Sequence, residues 1–262
     1  FSTQGAQVVG SRLAKFPDSQ DASKPVQLFE QSPKRTYLAQ FGLIGSAGLP
    51  NHRSGFEWVS GPTELKSGEQ SLKVVFKSVG DGVEVTHTYT LYAGRYDIDL
   101  NTQVKNLSEN SVNPNFYGQI TRDANPMPDE SKFYSTFTGP ALYTNKDKFI
   151  KINFSDIEKN KADNPKQIPA GEPGWIAMVQ HYFASAWIPS DKSTRDVYVG
   201  KVEQNLFRIG LQIPIATIAT GSSHVESTRL FIGPQEETLL EKIAPGFDLI
   251  KDYGYLTVIA KP

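Results

Sequence analysis

Histidine side chains are the first candidates for chemistry in this 262-residue sequence. The chain has four histidines, and no two lie within the short spacing of metal-binding pairs, so a zinc site would have to be assembled by the fold. His87 falls on the apolar face of an alternating strand, which favours a buried position. His181 lies in an uncharged segment and is a candidate cleft residue, although a hydrogen-bonded bend between two strands is the alternative.

Asp97 and Asp99 are the closest match to a paired-carboxylate motif. Two carboxyl groups on one strand face could act as the acid and the base of a glycosidase. The same face, however, also carries Arg95, Asn101 and Gln103. A solvated sheet face explains this composition more simply, and we predict that the two aspartates lie on such a face.

The three tryptophans allow two interpretations, because an aromatic ring can stack on a sugar or fill the core of a β-sandwich. Trp175 and Trp187 have apolar neighbours and are predicted to be core residues. Trp58 lies close to the end of the glycine-rich segment 42–61, which we interpret as a long loop, and is the better surface candidate. A possible cleft is therefore expected to involve Trp58 and His181.

Composition and missing motifs disfavour several classes of function. The chain has no cysteine, which excludes disulfides, thiolate metal ligands and a cysteine nucleophile. Its net charge of −1 argues against nucleic-acid binding through phosphate neutralisation. The glycine motifs of nucleotide sites and the usual serine-hydrolase and zinc-protease motifs are missing from the sequence. We expect no catalytic residue, no cofactor and no bound metal.

Segment 146–166 is the most plausible partner-binding surface, because its lysines alternate with acidic residues. The partner-binding candidates are Lys146, Lys148, Lys151, Lys159 and Lys161. A charge run of this kind is also typical of an ordinary solvated face, and that alternative stays open.

Alternating polarity predicts β-strands along most of the chain. The clearest strands cover residues 72–79, 83–91, 95–105, 197–202, 206–213 and 225–232. Segment 174–189 carries no charged residue, and it is too short and too polar to span a bilayer, so it must fold into a core. We predict an all-β fold of antiparallel sheets with a late helical attachment.

One helix is predicted at residues 235–243, between Pro234 and the Pro245-Gly246 stop. Apolar residues at helical spacing form one stripe in this helix, and two further apolar residues follow it. We expect this C-terminal segment to dock through Leu239, Leu240, Ile243, Phe247 and Leu249.

Three segments carry a family resemblance. Residues 174–189 read G-W-I-A-M-V-Q-H-Y-F-A-S-A-W-I-P, residues 230–234 read L-F-I-G-P, and A-P-G-F-D-L at 244–249 precedes D-Y-G-Y at 252–255. The segment Q-L-F-E at 27–30 adds a weaker match. In order and spacing they resemble the large periplasmic domain of the YidC-type membrane protein insertases of Gram-negative bacteria, with a weaker match over residues 110–171.

The resemblance implies a galactose-mutarotase-like β-supersandwich, in which two large twisted antiparallel sheets stack and a helical segment follows. Residues 1–262 would form a single periplasmic domain, with 234–255 as its C-terminal helix and linker toward an insertase core. Because the sequence opens on Phe1, we expect a piece of a longer protein anchored in the inner membrane.

The resemblance also implies a non-catalytic domain that supports insertion and folding of membrane proteins through scaffold contacts. The expected partners are SecDF, the Sec translocon and nascent membrane proteins, and the SecDF-contacting stretch would fall on residues 119–160. Two alternatives remain open. One is a carbohydrate-binding or mutarotase-like protein on the same sandwich, and the other is a cleft that holds extended peptides by strand addition.

Overall fold

The computed structural model describes residues 1–126, 136–162 and 166–251, and strands dominate this part of the chain. Period-two alternation of buried and exposed side chains recurs along these strands. In chain order they are β1 (Arg12–Pro17), β2 (Pro25–Gln27), β3 (Glu30–Gln31), β4 (Thr36–Ile44), β5 (Glu57–Ser60), β6 (Ser71–Gly80), β7 (Val83–Tyr92), β8 (Asp97–Asn106), β9 (Asn115–Asp123), β10 (Gly139–Thr144), β11 (Lys148–Lys151), β12 (Lys166–Ile168), β13 (Gly174–Gln180), β14 (Phe183–Pro189), β15 (Arg195–Glu203), β16 (Leu206–Pro214) and β17 (Ser223–Pro234).

Two large antiparallel sheets form the body of the fold. The nine-stranded sheet has the order β11-β10-β13-β14-β17-β8-β7-β6-β5, and the six-stranded sheet has the order β12-β15-β16-β9-β4-β3. Strands β1 and β2 form a separate pair. Apolar side chains from both large sheets meet in one shared core. The predicted all-β sandwich of stacked antiparallel sheets is therefore confirmed.

The uncharged segment forms the β13–β14 hairpin near one end of the nine-stranded sheet. Ile176 and Trp187 pack into the core between the sheets. Trp175 and Ala186 point to the opposite face, where the C-terminal segment covers them. Both faces of this hairpin are buried, which explains why the segment carries no charge. The prediction that it folds into a core is confirmed.

His87 lies at the centre of the sandwich, where it is fully buried. Its Nδ1 atom is 2.9 Å from Oγ1 of Thr102, and its ring packs against Phe41 and Phe56. Burial lowers the pKa of His87 to about 3, so the imidazole is neutral near pH 7. The prediction of a buried core histidine is confirmed.

Helices are short in the described residues: α1 (Phe154–Glu158), α2 (Glu237–Leu240) and a 3₁₀ helix at Phe247–Ile250. The prediction of a helix over residues 235–243 is wrong in length. Glu236 precedes α2 without a side-chain capping bond. After α2 the amides of Lys242 and Ile243 bond back three residues instead of four, at 3.1 and 3.0 Å. This tighter winding ends the α-helix early.

The long loop predicted for residues 42–61 is shorter than expected. Strand β4 continues to Ile44, and β5 begins at Glu57. The connection between them folds back, because the Leu43 amide donates to the carbonyl of Pro50 at 2.9 Å. The next residues of this loop lie over the outer face of the six-stranded sheet, where the His52 amide donates to Oη of Tyr117 at 3.2 Å.

Candidate functional site

A cleft of about 560 Å³ opens where the turn of the β13–β14 hairpin meets the β1–β2 pair. Its walls come from distant parts of the chain, and they combine aromatic and other apolar side chains with polar ones. The apolar walls include Phe16, Val26, Phe137, Tyr182 and Phe183. A concave, largely apolar site with a few fixed polar groups is the usual form of a ligand site.

His181 lines this cleft and, with Tyr182, forms the two-residue turn between β13 and β14. Its Nδ1 atom is 2.8 Å from Oγ1 of Thr136. Tyr182 has a left-handed backbone with φ of 64°, and its side chain is 64% exposed. The sequence analysis gave a cleft residue and a bend between two strands as alternatives for His181. In the structure His181 lies in the bend and also lines the cleft.

Three polar side chains form the deeper part of the cleft. The Arg35 guanidinium donates to Oε1 of Gln180 at 3.4 Å. The Gln235 amide donates to the carbonyls of Gln180 and Phe183 at 2.7 and 3.0 Å. Within the described residues, Nε2 of the fully buried Gln180 has no hydrogen-bond partner. This unmade hydrogen bond carries a free-energy cost, because the donor is also shielded from water.

Carboxylates of Asp18 and Glu236 also lie on the wall of the cleft. Acid–base catalysis at a sugar carbon would require one of them to act together with His181. In the part of the chain that the structure describes, His181 has its hydrogen bond to Thr136 and none to either carboxylate.

Trp58 does not share the cleft with His181. It lies on β5, the last strand at the far edge of the nine-stranded sheet from β11. Its side chain is 47% exposed, and Nε1 donates to the carbonyl of Ser60 at 2.9 Å. Trp58 is therefore a surface residue, as predicted, but its grouping with His181 at one cleft is wrong. The strand order that separates them involves pairings that the local sequence does not specify.

The lysine rim is the name we give to Lys146, Lys148, Lys151, Lys159 and Lys161. All five are exposed. Lys146 lies in the turn before β11, Lys148 and Lys151 are the end residues of β11 at the edge of the larger sheet, and Lys159 and Lys161 lie on the connection from β11 toward β12. Helix α1 lies within this connection and packs through Phe154 onto Phe207 of β16. Residues 127–135 of the stretch expected to contact SecDF, and residues 163–165 of the charged segment, lie outside the described residues.

The C-terminal segment covers the outer face of the β13–β14 hairpin. Leu240, Phe247 and Ile250 are fully buried, and Ile243 is nearly so. The Phe247 ring makes edge contacts with Trp175 and Phe231 at centroid distances of 4.9 and 5.1 Å. Leu239 packs against the same cluster and is partly buried.

Leu249 does not dock, contrary to expectation, because its side chain is 40% exposed. The residue that packs instead is Ile250. In a 3₁₀ helix the side chains at positions i and i+3 share a face, which aligns Ile250 with Phe247 and turns Leu249 outward. The motif residues 252–255 lie outside the described residues.

The prediction that Asp97 lies on a solvated sheet face is wrong, because its side chain is buried with only 3% exposure. The Arg95 guanidinium donates to it at 2.9 Å, and that of Arg229 does so at 3.4 Å. Burial opposes ionisation of Asp97, but these two cations outweigh it and lower the pKa of the carboxyl group. Arg229 also donates to the carbonyl of Ile243 at 2.6 Å, which ties the C-terminal segment to this ion pair.

Within residues 1–126, 136–162 and 166–251, no helix has the length and apolar character needed to cross a bilayer. The same residues contain no group of three or more histidine or acidic side chains arranged to hold a metal ion.

The fold is similar to that of galactose-mutarotase-like proteins. A galactose mutarotase related enzyme from Lactobacillus acidophilus superposes with a TM-score of 0.56 at 11% identity, covering 88% of this chain and 93% of that one. A galactose mutarotase-like protein from Lactobacillus casei gives a TM-score of 0.55 at 8% identity, covering 88% and 95%. At such low identities the likeness defines the class of fold and nothing about chemistry.

The family follows from sequence. A family model described as "YidC periplasmic domain" matches residues 1–262. The membrane protein insertase YidC of Polynucleobacter asymbioticus is 46% identical over 269 residues, and that of Burkholderia thailandensis is 46% identical over 263 residues. The chain belongs to the YidC periplasmic domain family, and it is the periplasmic part of a bacterial inner-membrane protein. It is covered completely in both matches and spans about half the length of these relatives, 47% and 46%.

Proposed function

We propose that this chain is the periplasmic domain of a membrane protein insertase and that it works by binding other proteins, without a catalytic step. The observation that carries this proposal is the family match over residues 1–262, together with relatives that are named membrane protein insertases. The partners that we propose are SecDF, the Sec translocon and nascent membrane proteins. Residues 1–262 would act as one domain, with 234–255 leading toward the insertase core.

The lysine rim is the proposed contact surface for SecDF. The five exposed cations lie on the edge strand β11, in the turn before it and on the connection after it, so an acidic partner surface can reach them without any rearrangement of the sandwich. Lysines on an edge strand such as β11 also discourage pairing with other sheets, which is a purely structural role. A SecDF contact depends on attraction between the lysines and an acidic partner, whereas protection of an edge strand does not. A binding experiment with charge-reversed lysines therefore separates the two roles.

Charge reversal of the whole rim should weaken binding to SecDF. With glutamate in place of Lys146, Lys148, Lys151, Lys159 and Lys161, we expect affinity for detergent-solubilised SecDF to fall about tenfold or more, mainly through slower association. Added salt should weaken binding of the parent chain more than that of the variant, because salt screens the attraction. Biolayer interferometry at two ionic strengths measures both effects.

A matched control carries five reversals away from the rim. Lys66, Lys73, Lys105, Lys192 and Lys242 are exposed and form no salt bridge within the described residues. The control changes net charge by the same amount, so it should keep most of the affinity. Equal losses in both variants would show that only overall charge matters, and unchanged binding of the rim variant would remove this surface assignment.

The cleft is the proposed holding site for an extended segment of a nascent membrane protein. Support comes from its largely apolar walls and from the polar side chains of His181 and Gln235 that line it. Arg35 also lines the cleft. Apolar walls with a few polar anchors suit a chain whose side chains are hydrophobic and whose backbone still needs hydrogen bonds.

Photocrosslinking tests the cleft directly. A photoreactive phenylalanine replacing Tyr182, on the cleft wall, should crosslink a leucine-rich extended peptide. The same probe replacing Trp58 serves as the control, since it is also an exposed aromatic position but lies at the far edge of the sheet. Comparable yields at both positions would indicate non-specific adhesion and would contradict a holding role for the cleft.

A further inference from the structure

A second concave site lies on the outer face of the six-stranded sheet, away from the cleft and from the lysine rim. It encloses about 490 Å³ and is lined mainly by polar side chains, including His52, Tyr117, Gln119, Tyr198, Arg208 and Gln212. Strand alternation explains this lining. Phe116, Ile120 and Ile209 face the core, so their neighbours along β9 and β16 point outward. We call this site the outer groove.

Hydrogen bonds fix the polar groups of the outer groove. The Tyr198 hydroxyl donates to Oε1 of Gln119 at 2.9 Å, and Nε2 of Gln119 donates to Oε1 of Gln40 at 2.7 Å. The Thr121 hydroxyl donates to the same Gln40 oxygen at 2.9 Å. Gln119 is only 4% exposed, which holds its side chain in one orientation. A ligand would therefore meet groups that are already ordered, at little entropic cost.

His52 and Tyr117 form a neutral pair at one end of the groove. Nδ1 of His52 contacts Oη of Tyr117, which also accepts the His52 backbone amide. Burial lowers the pKa of His52 and raises that of Tyr117 to about 12, so both are neutral near pH 7. With the tyrosine hydroxyl donating to Nδ1, we assign the ring proton to Nε2, which leaves a donor for a ligand.

Arginine gives the groove a positive character. Arg53 and Arg208 both line it, and no described lining residue is acidic. The Arg208 guanidinium stands 5.5 Å from the centroid of the Tyr198 ring. Its Nε is buried without a hydrogen bond, and no carboxylate among the described residues forms a salt bridge with it. A guanidinium held in this way is suited to a carboxylate.

We infer that the outer groove binds a carbohydrate that carries a carboxylate group. The partly exposed ring of Tyr198 suits a sugar ring, and the Nε2 donor of His52 and the amide of Gln212 suit its hydroxyl groups. Arg208 then receives the carboxylate. The residues carry this inference alone, because the mutarotase likeness shows only the fold. It goes beyond the proposed protein-binding role and places a sugar site away from both Trp58 and His181.

Amide NMR titration of the 262-residue chain with methyl β-D-glucuronide tests the inference. Saturable shifts should appear at residues 117, 119, 198 and 208. Methyl β-D-glucoside, which carries a neutral hydroxymethyl group in place of the carboxylate, should bind more weakly by about tenfold, the value of one charge-assisted hydrogen bond. Saturable amide shifts at residues of the cleft instead, or no saturable shift with glucuronide at tens of millimolar concentration, would overturn the assignment. Equal binding of inorganic phosphate would also overturn it, because the site would then recognise only an anion.

Two variants locate the interaction. Arg208→Gln should weaken glucuronide binding by about tenfold and abolish the preference over the glucoside. Tyr198→Phe keeps the ring but removes the hydroxyl that orients Gln119, so it should weaken both ligands together. Arg12→Gln, at an exposed arginine on β1, is the control and should bind like the parent chain. Retained preference for glucuronide in a folded Arg208→Gln protein would contradict the inference.

Discussion

Trp187→Ala is expected to lower the free energy of unfolding by about 3–5 kcal/mol, the usual cost of deleting a large aromatic side chain from a core. Trp187 is nearly fully buried between the sheets, and its ring makes an edge contact with Phe41 at a centroid distance of 5.7 Å. Nε1 donates to the backbone carbonyl of Gln119 at 3.0 Å, across the sandwich from β14 to β9. The substitution thus removes both packing and a bond that joins the two sheets.

Urea denaturation followed by circular dichroism measures this loss without relying on tryptophan fluorescence, which the substitution itself changes. Trp58→Ala is the matched control, because that ring is exposed and should change stability by about 0.5 kcal/mol or less. Trp187→Phe should fall between the two, since it keeps most of the packing and loses the hydrogen bond. A Trp187→Ala protein with the stability of the parent would mean that Trp187 is not part of the core.

The sheets could be predicted from sequence wherever one local pattern determines burial. The strand 83–91 was predicted from strict alternation, and the uncharged segment 174–189 from the absence of any charge. Both patterns depend on neighbours within a few residues, so the sequence carries them directly. Burial of Trp175, Trp187 and His87 followed from the same reasoning, and the structure agrees.

Asp97 shows where this reasoning stops. Its strand alternates as predicted, but Asp97 is buried in an ion pair with Arg229, which also binds the Ile243 carbonyl of the C-terminal segment, more than a hundred residues away in sequence. Arg229 pairs with Asp97 from the neighbouring strand β17. Whether a polar sheet face is exposed to solvent depends on the segments that pack against it. The sequence of residues 95–105 alone does not show which segments those are.

The cleft was only partly predictable for a similar reason. His181 was selected because it is a polar residue in an apolar segment, but the residues around it come from separate segments near positions 16–20, 26–27, 35 and 234–236. The outer groove was missed altogether, since Tyr117, Gln119 and Arg208 lie on two different strands and converge only through sheet pairing. A polar set on alternate residues of one strand, such as Tyr117, Gln119 and Thr121, is the signal that would have indicated it.

Phe247→Ala is expected to release the C-terminal segment from the sandwich. Phe247 is fully buried, and its ring fits between Trp175 and Phe231, so its truncation should cost about 3–5 kcal/mol of docking free energy. The cost should appear as local opening, because strands β6 to β9 do not depend on this contact. Amide hydrogen exchange should therefore accelerate by roughly a hundredfold to a few thousandfold across residues 239–251 and stay unchanged in those strands.

Leu249→Ala provides the control within the same turn, because Leu249 is 40% exposed and should leave exchange unaltered. Equal acceleration in both variants would contradict the docking of this segment through Phe247.

Arg229→Met extends the test, since it removes the bond to the Ile243 carbonyl and leaves Asp97 with Arg95 alone. We propose that the docked segment also fixes the orientation of the domain relative to the insertase core. Full-length protein carrying Phe247→Ala should then retain SecDF binding at the lysine rim while losing insertion efficiency. Loss of both together would mean that the docked segment supports the rim as well, through the β10–β13 pairing that connects them.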